Sequence, residues 1–200
     1  MLLFSSDIER DAGFPSGLPD SIATGITGVG LVESAIGATR LIDRHAPSCL
    51  VFVGTCGAHA GSGIGVGDIV IATSIVLGSG DVARGEMRLP ALLRSRLATD
   101  PALNARLAEG AGDLALRSAS VSCTLGITET EKLARELSAD AATENMEAFA
   151  VARAAEHASV PVAVLLGVTN IVGPGGGAGW AANYREMMQA VTGIAMRALS

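Results

Sequence analysis

The run CLVFVGTCG, from Cys49 to Gly57, decides the fold, because it is almost continuously apolar and ends at a glycine. A strand that faces solvent on one side alternates apolar and polar residues, whereas a continuous apolar run is typical of a strand buried on both faces. A second such run, VPVAVLLGVTN, extends from Val160 to Asn170. A sheet buried on both faces needs helices on both sides, so strands and helices are expected to alternate along the chain.

The remaining segments show this alternation. Short strands are predicted in MLLFS, SIATGIT, GDIVIATSIVL and SASVSCTLGIT. Helical patterns are found in GLVESAIGATRLIDRHA, ETEKLAREL and ENMEAFAVARAAEHA, in a closing helix from Trp180 to Leu199, and once or twice in residues 90–110. The chain is therefore predicted to form a single domain over residues 1–200, a three-layer α/β/α sandwich whose central sheet is mixed and mostly parallel.

The composition and net charge exclude several classes of function. Of the 200 residues, 49% are hydrophobic and 17% are charged, which supplies enough apolar material for a large core. The net charge is −6 and no run of Lys or Arg is present, so neither a nucleic acid nor a membrane is an expected partner. No apolar run approaches the ~20 residues of a membrane span. Because MLLFSSDIERDAG also lacks the features of a secretion signal, a cytoplasmic protein is expected.

The cysteines and histidines form no pattern typical of a metal site. Cys49, Cys56 and Cys123 make no C-x-x-C pair, and no histidine lies at ligand spacing from them. The stretch VGTCGAHAGSGIGVGD matches neither the Walker pattern nor G-x-G-x-x-G at a helix start, which disfavours a nucleoside triphosphate or a dinucleotide. No metal, disulfide or cofactor is expected, and Cys56 is interpreted as a small packed residue. The glycines still allow a small ligand to approach the backbone closely.

Ligands of such sheets collect at the carboxyl ends of the strands, which here are Gly54–Ala58, Gly126–Thr130 and Thr169–Gly173. Asn170 lies in the third segment. Its amide offers an acceptor oxygen and two donor hydrogens, which can pair with a carbonyl and a ring nitrogen side by side, as on one edge of an oxopurine. An Asn after a strand also forms Asx turns, so a purely structural role is an equal alternative.

Two acidic segments are candidates for chemistry. Glu147 stands among Met, Ala, Phe and Val, where a carboxylate loses solvation and needs partners, and two vicinal sugar hydroxyls would supply them. The alternative is an acid that the helix dipole favours. Asp7, Glu9 and Asp11 follow the first strand, and one of them could act as a general base on water. Solvated loop acids are the alternative for these three.

Taken together, these stretches resemble one family. ERDA, TGVGLVESA, VGTCGAHA, GVGDIVIA, LGITETEKLA, ENMEAFAVA and GVTNIVGP stand in the order and spacing of the nucleoside phosphorylase/hydrolase superfamily. Within it the chain is most similar to the purine nucleosidases, namely futalosine hydrolase and the methylthioadenosine/S-adenosylhomocysteine nucleosidases. The resemblance implies an N-glycosyl hydrolase that acts on a small-molecule purine nucleoside, as a homodimer or a higher homo-oligomer.

The same resemblance implies roles for individual residues. Glu9 would activate the attacking water, and Asn170 would contact the purine and help it leave. Glu147 would bind the 2′- and 3′-hydroxyls of the ribose, with Met146 packed against the sugar. The glycine-rich segment GPGGGAGW would lie where a lid excludes water. Further residues are implied as walls of the substrate pocket: Thr55, Cys56, Gly57, Ile127, Thr128 and Phe149.

The resemblance also bears on the substrate. Adenine-specific nucleosidases usually carry Asp where this chain has Asn170, whereas an amide can donate to a 6-oxo group while also meeting N7. A 6-oxopurine nucleoside such as futalosine is therefore expected, with methylthioadenosine/S-adenosylhomocysteine as the alternative. Phosphorylases typically bind phosphate with Arg, and CLVFVGTCG has none, so water is expected as the nucleophile and phosphorolysis is the alternative. A nucleoside-binding protein without catalysis, on the same scaffold, is the remaining alternative.

Overall fold

The computed structural model describes residues 1–19, 21–112 and 114–200. These ranges contain eight strands: β1 (Leu2–Phe4), β2 (Thr24–Ile26), β3 (Leu50–Ala58), β4 (Ile69–Leu77), β5 (Arg96–Ala98), β6 (Leu116–Cys123), β7 (Thr143–Asn145) and β8 (Val162–Ile171). They also contain seven helices: α1 (Asp7–Gly13), α2 (Leu31–His45), α3 (Gly80–Ala83), α4 (Pro101–Ala111), α5 (Glu131–Leu137), α6 (Ala148–Ala158) and α7 (Gly176–Leu199). Within the same ranges, no helix has the length and hydropathy needed to cross a bilayer.

The eight strands form one sheet. The parallel pairs are β1–β2, β1–β3, β3–β8, β4–β6 and β6–β7. The antiparallel pairs are β3–β7, β4–β5 and β4–β8. Because β7 joins β6 to β3 and β8 joins β3 to β4, the strands β3, β8, β4, β6 and β7 close into a barrel-like ring. The prediction of a mixed, mostly parallel sheet is confirmed.

Helices cover both faces of this sheet. In β3, Leu50 and Phe52 pack into a cluster with α2 and α6, while Val51 and Val53 pack into a second cluster with α4 and α7. All four side chains are 0% exposed, and burying each one stabilises the fold by about 1.5–3 kcal/mol. The continuous apolar run therefore reflects two buried faces, and the three-layer sandwich is confirmed.

Two short strands, β5 and β7, were not predicted from the sequence. Each has three residues, which is too short to show an alternating pattern. The β7 sequence is Thr-Glu-Asn, yet all three residues are buried, because their side chains find hydrogen-bond partners inside the fold. Asn145, for example, donates from Nδ2 to the backbone oxygen of Thr55 at 3.0 Å.

Two helices begin where the sequence indicated loops. The N-terminal acids lie on α1, because the Oγ of Ser6 caps this helix by accepting the backbone N–H of Glu9 at 3.3 Å. Helix α7 begins at Gly176 instead of Trp180, so much of the segment expected as a lid is helical. Glycine disfavours a helix, but here it allows close packing, since a Cβ on Gly179 would lie 2.8 Å from the Cβ of Asn170.

Helix α2 packs against the chain that follows β2 at Gly37. A Cβ at this position would overlap the backbone oxygen of Thr27 and lie 2.7 Å from its Cα. We expect Gly37→Ala to lower the free energy of unfolding by about 1–3 kcal/mol, because α2 must move away from the backbone of Thr27. Thermal melting measures this loss, and an unchanged Tm would contradict it.

The matched control for Gly37→Ala is Gly193→Ala in α7. There, the nearest atom to a new Cβ is the flexible guanidinium of Arg197 at 3.4 Å. Alanine is favoured over glycine inside helices, so this variant is expected to gain up to ~1 kcal/mol.

Candidate active site

A cavity of about 350 Å³ lies at the carboxyl ends of β3 and β8, beside β7 and the first turns of α1 and α7. It brings together eight of the residues that the sequence assigned to the site: Glu9, Thr55, Cys56, Gly57, Ile127, Met146, Glu147 and Asn170. The other lining residues are Ser5, Ser6, Ile8, Val29, Glu144, Asn145, Thr169, Gly176, Gly177 and Trp180. The amide and the sugar-binding acid predicted from the sequence thus face one hollow.

Two assigned residues do not line this cavity. Thr128 lies behind the wall, 3% exposed, and is hydrogen-bonded to Glu144. Phe149 lines a separate hollow together with Leu31 and Arg153. Phe149, which was expected to wall the pocket, therefore does not line this cavity. Helix α6 begins at Ala148, so Phe149 lies in its first turn and packs into the core beside α2.

Glu9 is fixed at one end of the cavity and is only 6% exposed. Its Oε1 accepts the backbone N–H of Thr55 at 3.2 Å and the Thr55 hydroxyl at 2.7 Å, and its Oε2 accepts the Ser5 hydroxyl at 2.6 Å. Trp180 donates from Nε1 to the Oγ1 of Thr55 at 3.2 Å. This bond orients the Thr55 hydroxyl that donates to Glu9. Burial raises the pKa of Glu9, and the hydrogen bonds from Ser5 and Thr55 partly oppose that shift.

Glu147 is the second buried acid, also 6% exposed. Its Oε1 accepts the backbone N–H of Gly30 at 2.8 Å, whereas Oε2 has no hydrogen-bond donor among the described residues. Burial is the main cause that raises the pKa of Glu147 to about 7, and the negative charge of Glu9 adds to the shift. A carboxylate with one free oxygen, close to a second acid, is suited to accept hydrogen bonds from a ligand.

Asn145 holds Glu147 in place. Its Oδ1 accepts the backbone N–H groups of Glu147 at 2.8 Å and of Ala148 at 2.7 Å. Asn145 therefore caps the start of the helix that follows. This helix, α6, begins at Ala148, so Glu147 lies just before it. Because Asn145 also binds Thr55, it links the positions of the two acids.

Asn170 stands at the end of β8 with its amide orientation fixed. Oδ1 accepts the hydroxyl of Thr169 at 2.8 Å, and Nδ2 donates to the backbone oxygen of Ile171 at 3.1 Å. A backbone oxygen can only accept, so Nδ2 and Oδ1 cannot be exchanged without losing this bond. One N–H and one lone pair of the amide remain available to a ligand.

Glycines leave the space around this amide open. A Cβ on Gly57 would lie 2.9 Å from the Nδ2 of Asn170, and one on Gly176 would lie 3.1 Å from the same atom. A side chain at either position would displace the amide or fill the cavity. Glycine at these two positions therefore keeps space open beside Asn170.

Three further residues of this site had not been assigned to it from the sequence. Ser5 precedes Glu9 by one helical turn, a spacing that could have revealed the pair. Trp180 binds Thr55 across 125 positions of sequence, and no local pattern predicts such a contact. Glu144 was given no role, because β7 was not recognised as a strand.

Cys56 lines the cavity but is 4% exposed. Burial raises the pKa of its thiol far above the ordinary value, so it is not a thiolate nucleophile. In the described ranges, no group of three or more His, Cys, Asp or Glu side chains is placed to hold a metal ion.

The family model of the phosphorylase superfamily matches residues 21–200. A 5′-methylthioadenosine/S-adenosylhomocysteine nucleosidase from Anoxybacillus flavithermus is 29% identical over an alignment of 163 positions, which covers 74% of this chain and 66% of that protein. The corresponding enzyme from Maridesulfovibrio salexigens is 39% identical over 54 residues, 27% of this chain and 23% of that protein. The chain thus spans less than two thirds of either relative.

Solved structures share the fold at low identity. A futalosine hydrolase mutant from Helicobacter pylori superposes with a TM-score of 0.87 at 16% identity, over 99% of this chain and 96% of its own. A 5′-methylthioadenosine/S-adenosylhomocysteine nucleosidase from Neisseria meningitidis, in complex with methylthio-immucillin-A, gives 0.87 at 15% identity over the same shares. The superpositions agree with the sheet and helix order described above, and with the family match over residues 21–200 they lead to one conclusion: the chain belongs to the phosphorylase superfamily.

Proposed function

We propose that this protein hydrolyses the N-glycosidic bond of a purine nucleoside. The observation that carries the proposal is that Glu9, Glu147 and Asn170 open into one cavity. A nucleoside has three parts for such a site to hold: the sugar hydroxyls, the anomeric carbon that water attacks, and the departing base. Each of the three side chains suits one part.

Glu147 is proposed to hold the ribose. Its free Oε2, together with the remaining lone pair of Oε1, can accept the two vicinal hydroxyls of the sugar. Met146 lines the cavity next to it and supplies apolar contact. In the reaction, the glycosidic bond stretches and positive charge grows on the ribose, which a nearby carboxylate stabilises.

Glu9 is proposed to orient and deprotonate the attacking water. A carboxylate has about four lone-pair sites, and Ser5 and Thr55 occupy three of them, which leaves one on Oε2 for water. Because burial raises the pKa of Glu9, its conjugate acid is weaker than that of an exposed Glu, and a stronger base results.

Asn170 is proposed to contact the departing purine. Its free N–H can donate to a 6-oxo group, and its free lone pair can accept a hydrogen bond from N7–H once solvent has protonated N7 of the departing base. An amide cannot give up a full proton, so the base must leave with its own negative charge delocalised or be protonated by solvent. A 6-oxopurine such as hypoxanthine spreads that charge onto O6, which is why the proposal favours a 6-oxopurine nucleoside such as futalosine.

Water suits this cavity better than phosphate. Among its described lining residues there is no Arg, Lys or His, whereas Glu9, Glu144 and Glu147 all line it. A phosphate dianion needs cationic or N–H donors and is repelled by carboxylates. The proposed reaction is therefore hydrolysis.

The test is incubation of the protein with inosine, futalosine, adenosine and methylthioadenosine, with and without phosphate, followed by chromatography of the freed base. We expect hypoxanthine release from the 6-oxopurine nucleosides, free ribose sugars and no dependence on phosphate. A phosphate-dependent rate with a sugar phosphate product would contradict hydrolysis. If the protein binds a nucleoside but releases no base, it is a nucleoside-binding protein without catalytic activity.

A second candidate is cleavage of methylthioadenosine or S-adenosylhomocysteine. It is favoured by the names of the relatives, among them the Anoxybacillus flavithermus enzyme at 29% identity over 163 residues. The same incubation separates the two, because this candidate requires adenine to be released from methylthioadenosine much faster than hypoxanthine from futalosine or inosine.

We further propose that the active form is at least a homodimer. Ile8, Val29 and Ile127 line the mouth of the cavity and are 57%, 57% and 62% exposed. A second copy that covers these apolar side chains would also exclude bulk water from the site. Light scattering of the purified protein measures the mass, and a monomer at assay concentration would contradict the proposal.

The pKa of Glu147 predicts a pH dependence of substrate binding. The carboxyl titrates at about 7, and only its ionised form accepts both ribose hydroxyls. Protonation must therefore weaken binding as the pH falls through the pKa. We expect KM for the nucleoside to rise about tenfold from about pH 8 to about pH 6.

The variant Glu147→Gln serves as the control for this profile. It keeps the shape of the side chain but has no charge to lose, so its KM is expected to be high and nearly constant over the same range. Glu9 acts on water, so its titration changes kcat rather than KM. A wild-type KM that does not vary with pH would mean that Glu147 does not hold the sugar.

A further inference from the structure

A third acid of the cavity, Glu144, has no part in the mechanism proposed above. It lies on β7 and is 8% exposed. Its Oε1 accepts the backbone N–H of Thr128 at 3.2 Å, and its Oε2 accepts the Thr128 hydroxyl at 2.6 Å. Burying a carboxylate is costly. The two hydrogen bonds from Thr128 do not by themselves explain why a carboxylate lies at the wall of the cavity.

The sheet places Glu144 opposite Asn170. Gly57 on β3 pairs with Glu144 on one side and with Asn170 on the other. Paired residues of neighbouring strands project to the same face, so both side chains stand on one face with a glycine between them. Two strand spacings separate their Cα atoms by about 9–10 Å. Since both side chains line the cavity, a flat ligand above Gly57 meets an amide at one end and a carboxylate at the other.

The free hydrogen-bonding capacity of Glu144 is that of an acceptor. Thr128 uses two of the roughly four lone-pair sites of the carboxylate, and both bonds have Glu144 as acceptor. The remaining sites can accept an N–H but cannot donate one while the group is ionised. Among purines, 6-oxopurines carry an N–H at N1, whereas adenine has a lone pair there.

We propose that Glu144 is a specificity-determining residue that accepts the N1–H of a 6-oxopurine and disfavours adenine. The inference rests on the proposed purine nucleosidase function and adds a second residue that recognises the purine base. Asn170 contacts the edge that carries N7 and O6, while Glu144 contacts the edge that carries N1. Adenine in the same orientation would turn its N1 lone pair toward the carboxylate, so that two acceptors face each other where a 6-oxopurine makes a hydrogen bond, which is a basis for rejection.

Calorimetric binding of free hypoxanthine and free adenine tests the inference without requiring turnover. We expect the wild-type protein at about pH 8 to bind hypoxanthine more tightly than adenine. In Glu144→Gln, the ratio of the two affinities is expected to fall at least about tenfold, because the amide can turn an N–H toward the N1 of adenine. Thr128→Val is the matched variant: it loosens the loop but keeps the carboxylate, so it should change both affinities by a similar factor.

Three outcomes would overturn the inference. One is an unchanged ratio in Glu144→Gln, and another is an equal change of the ratio in Thr128→Val. In both cases purines still bind, and the proposed nucleosidase function is unaffected. The third is a wild-type protein that binds neither base, which overturns the proposed function as well. A changed ratio in a protein that cleaves no nucleoside supports the role of Glu144 and rejects hydrolysis alone.

A second variant covers the case in which Glu144→Gln does not fold, as judged by circular dichroism. Glu144→Asp keeps the charge and shortens the side chain by one methylene, so the carboxylate retreats from the base. Weaker hypoxanthine binding with little change for adenine supports the inference. Equal weakening of both bases contradicts it.

Discussion

Glu9→Gln is expected to lower kcat by about two to four orders of magnitude, which is the usual contribution of a positioned general base. The variant preserves the packing around the site. Its amide oxygen can still accept both hydrogen bonds from Thr55, and the Ser5 hydroxyl can rotate to accept from the new NH₂. Only the ability to take a proton from water is lost.

Initial rates on a cleaved nucleoside, compared with the melting temperature, separate this chemical loss from unfolding. Glu9 is buried and desolvated, so its replacement by a neutral group is expected to leave the Tm unchanged or raise it at neutral pH. Asp11→Asn is the matched control, because Asp11 lies on the same helix with its side chain 67% exposed. If kcat of Glu9→Gln stays within tenfold of the wild-type value, a group other than Glu9 activates the attacking water.

The network around Glu9 explains why a helix so short can hold a buried carboxyl group in a fixed position. Helix α1 has seven residues, and isolated helices of this length are unstable in water. Here Thr55 on β3 fixes one carboxylate oxygen, and Trp180 on α7 fixes Thr55. The geometry of the acid is thus set by a central strand and a long helix rather than by α1 itself.

The fold could be predicted largely because β3 and β8 are apolar on both faces. Leu50, Val51 and Phe52 would not follow one another in a strand with an exposed face, so the sequence itself required helices on both sides. The strand β7 could not be predicted, since Thr143, Glu144 and Asn145 are polar residues whose burial depends on partners distant in sequence. The barrel-like closure follows from β7 and was missed for the same reason.

The site was predictable where a residue type alone limits the chemistry. Asn170 follows a buried strand, and Glu147 stands among apolar neighbours, so both stood out in the sequence. The contacts that orient them were not visible, because Gly30 and Glu147 are 117 positions apart. Phe149 lies in the first turn of α6 and packs into the core, and the sequence alone did not show where this helix begins.

Asn170→Ala is expected to lower kcat/KM by at least about two orders of magnitude, because it removes a placed donor from the departing base. The loss should be larger for 6-oxopurine nucleosides than for adenine nucleosides, since the lost N–H meets O6. Asn104→Ala is the control, because Asn104 makes a partly buried bond to Thr99 outside the cavity. That control should lower the Tm but leave kcat/KM unchanged.

Asn170→Asp distinguishes a proton donor from a hydrogen-bond donor at this position. The new carboxyl would face the backbone oxygen of Ile171, which now accepts from Nδ2, and two acceptors in contact favour the protonated acid. A protonated Asp can deliver its proton to N7, so adenine nucleosides are expected to gain at least about tenfold relative to 6-oxopurine nucleosides. Two results together would contradict this role: kcat/KM of Asn170→Ala within tenfold of the wild type, and an unchanged preference of Asn170→Asp between adenine and 6-oxopurine nucleosides. The base would then leave without help from the side chain of Asn170. The amide would then serve only the turn that it forms with Thr169 and Ile171.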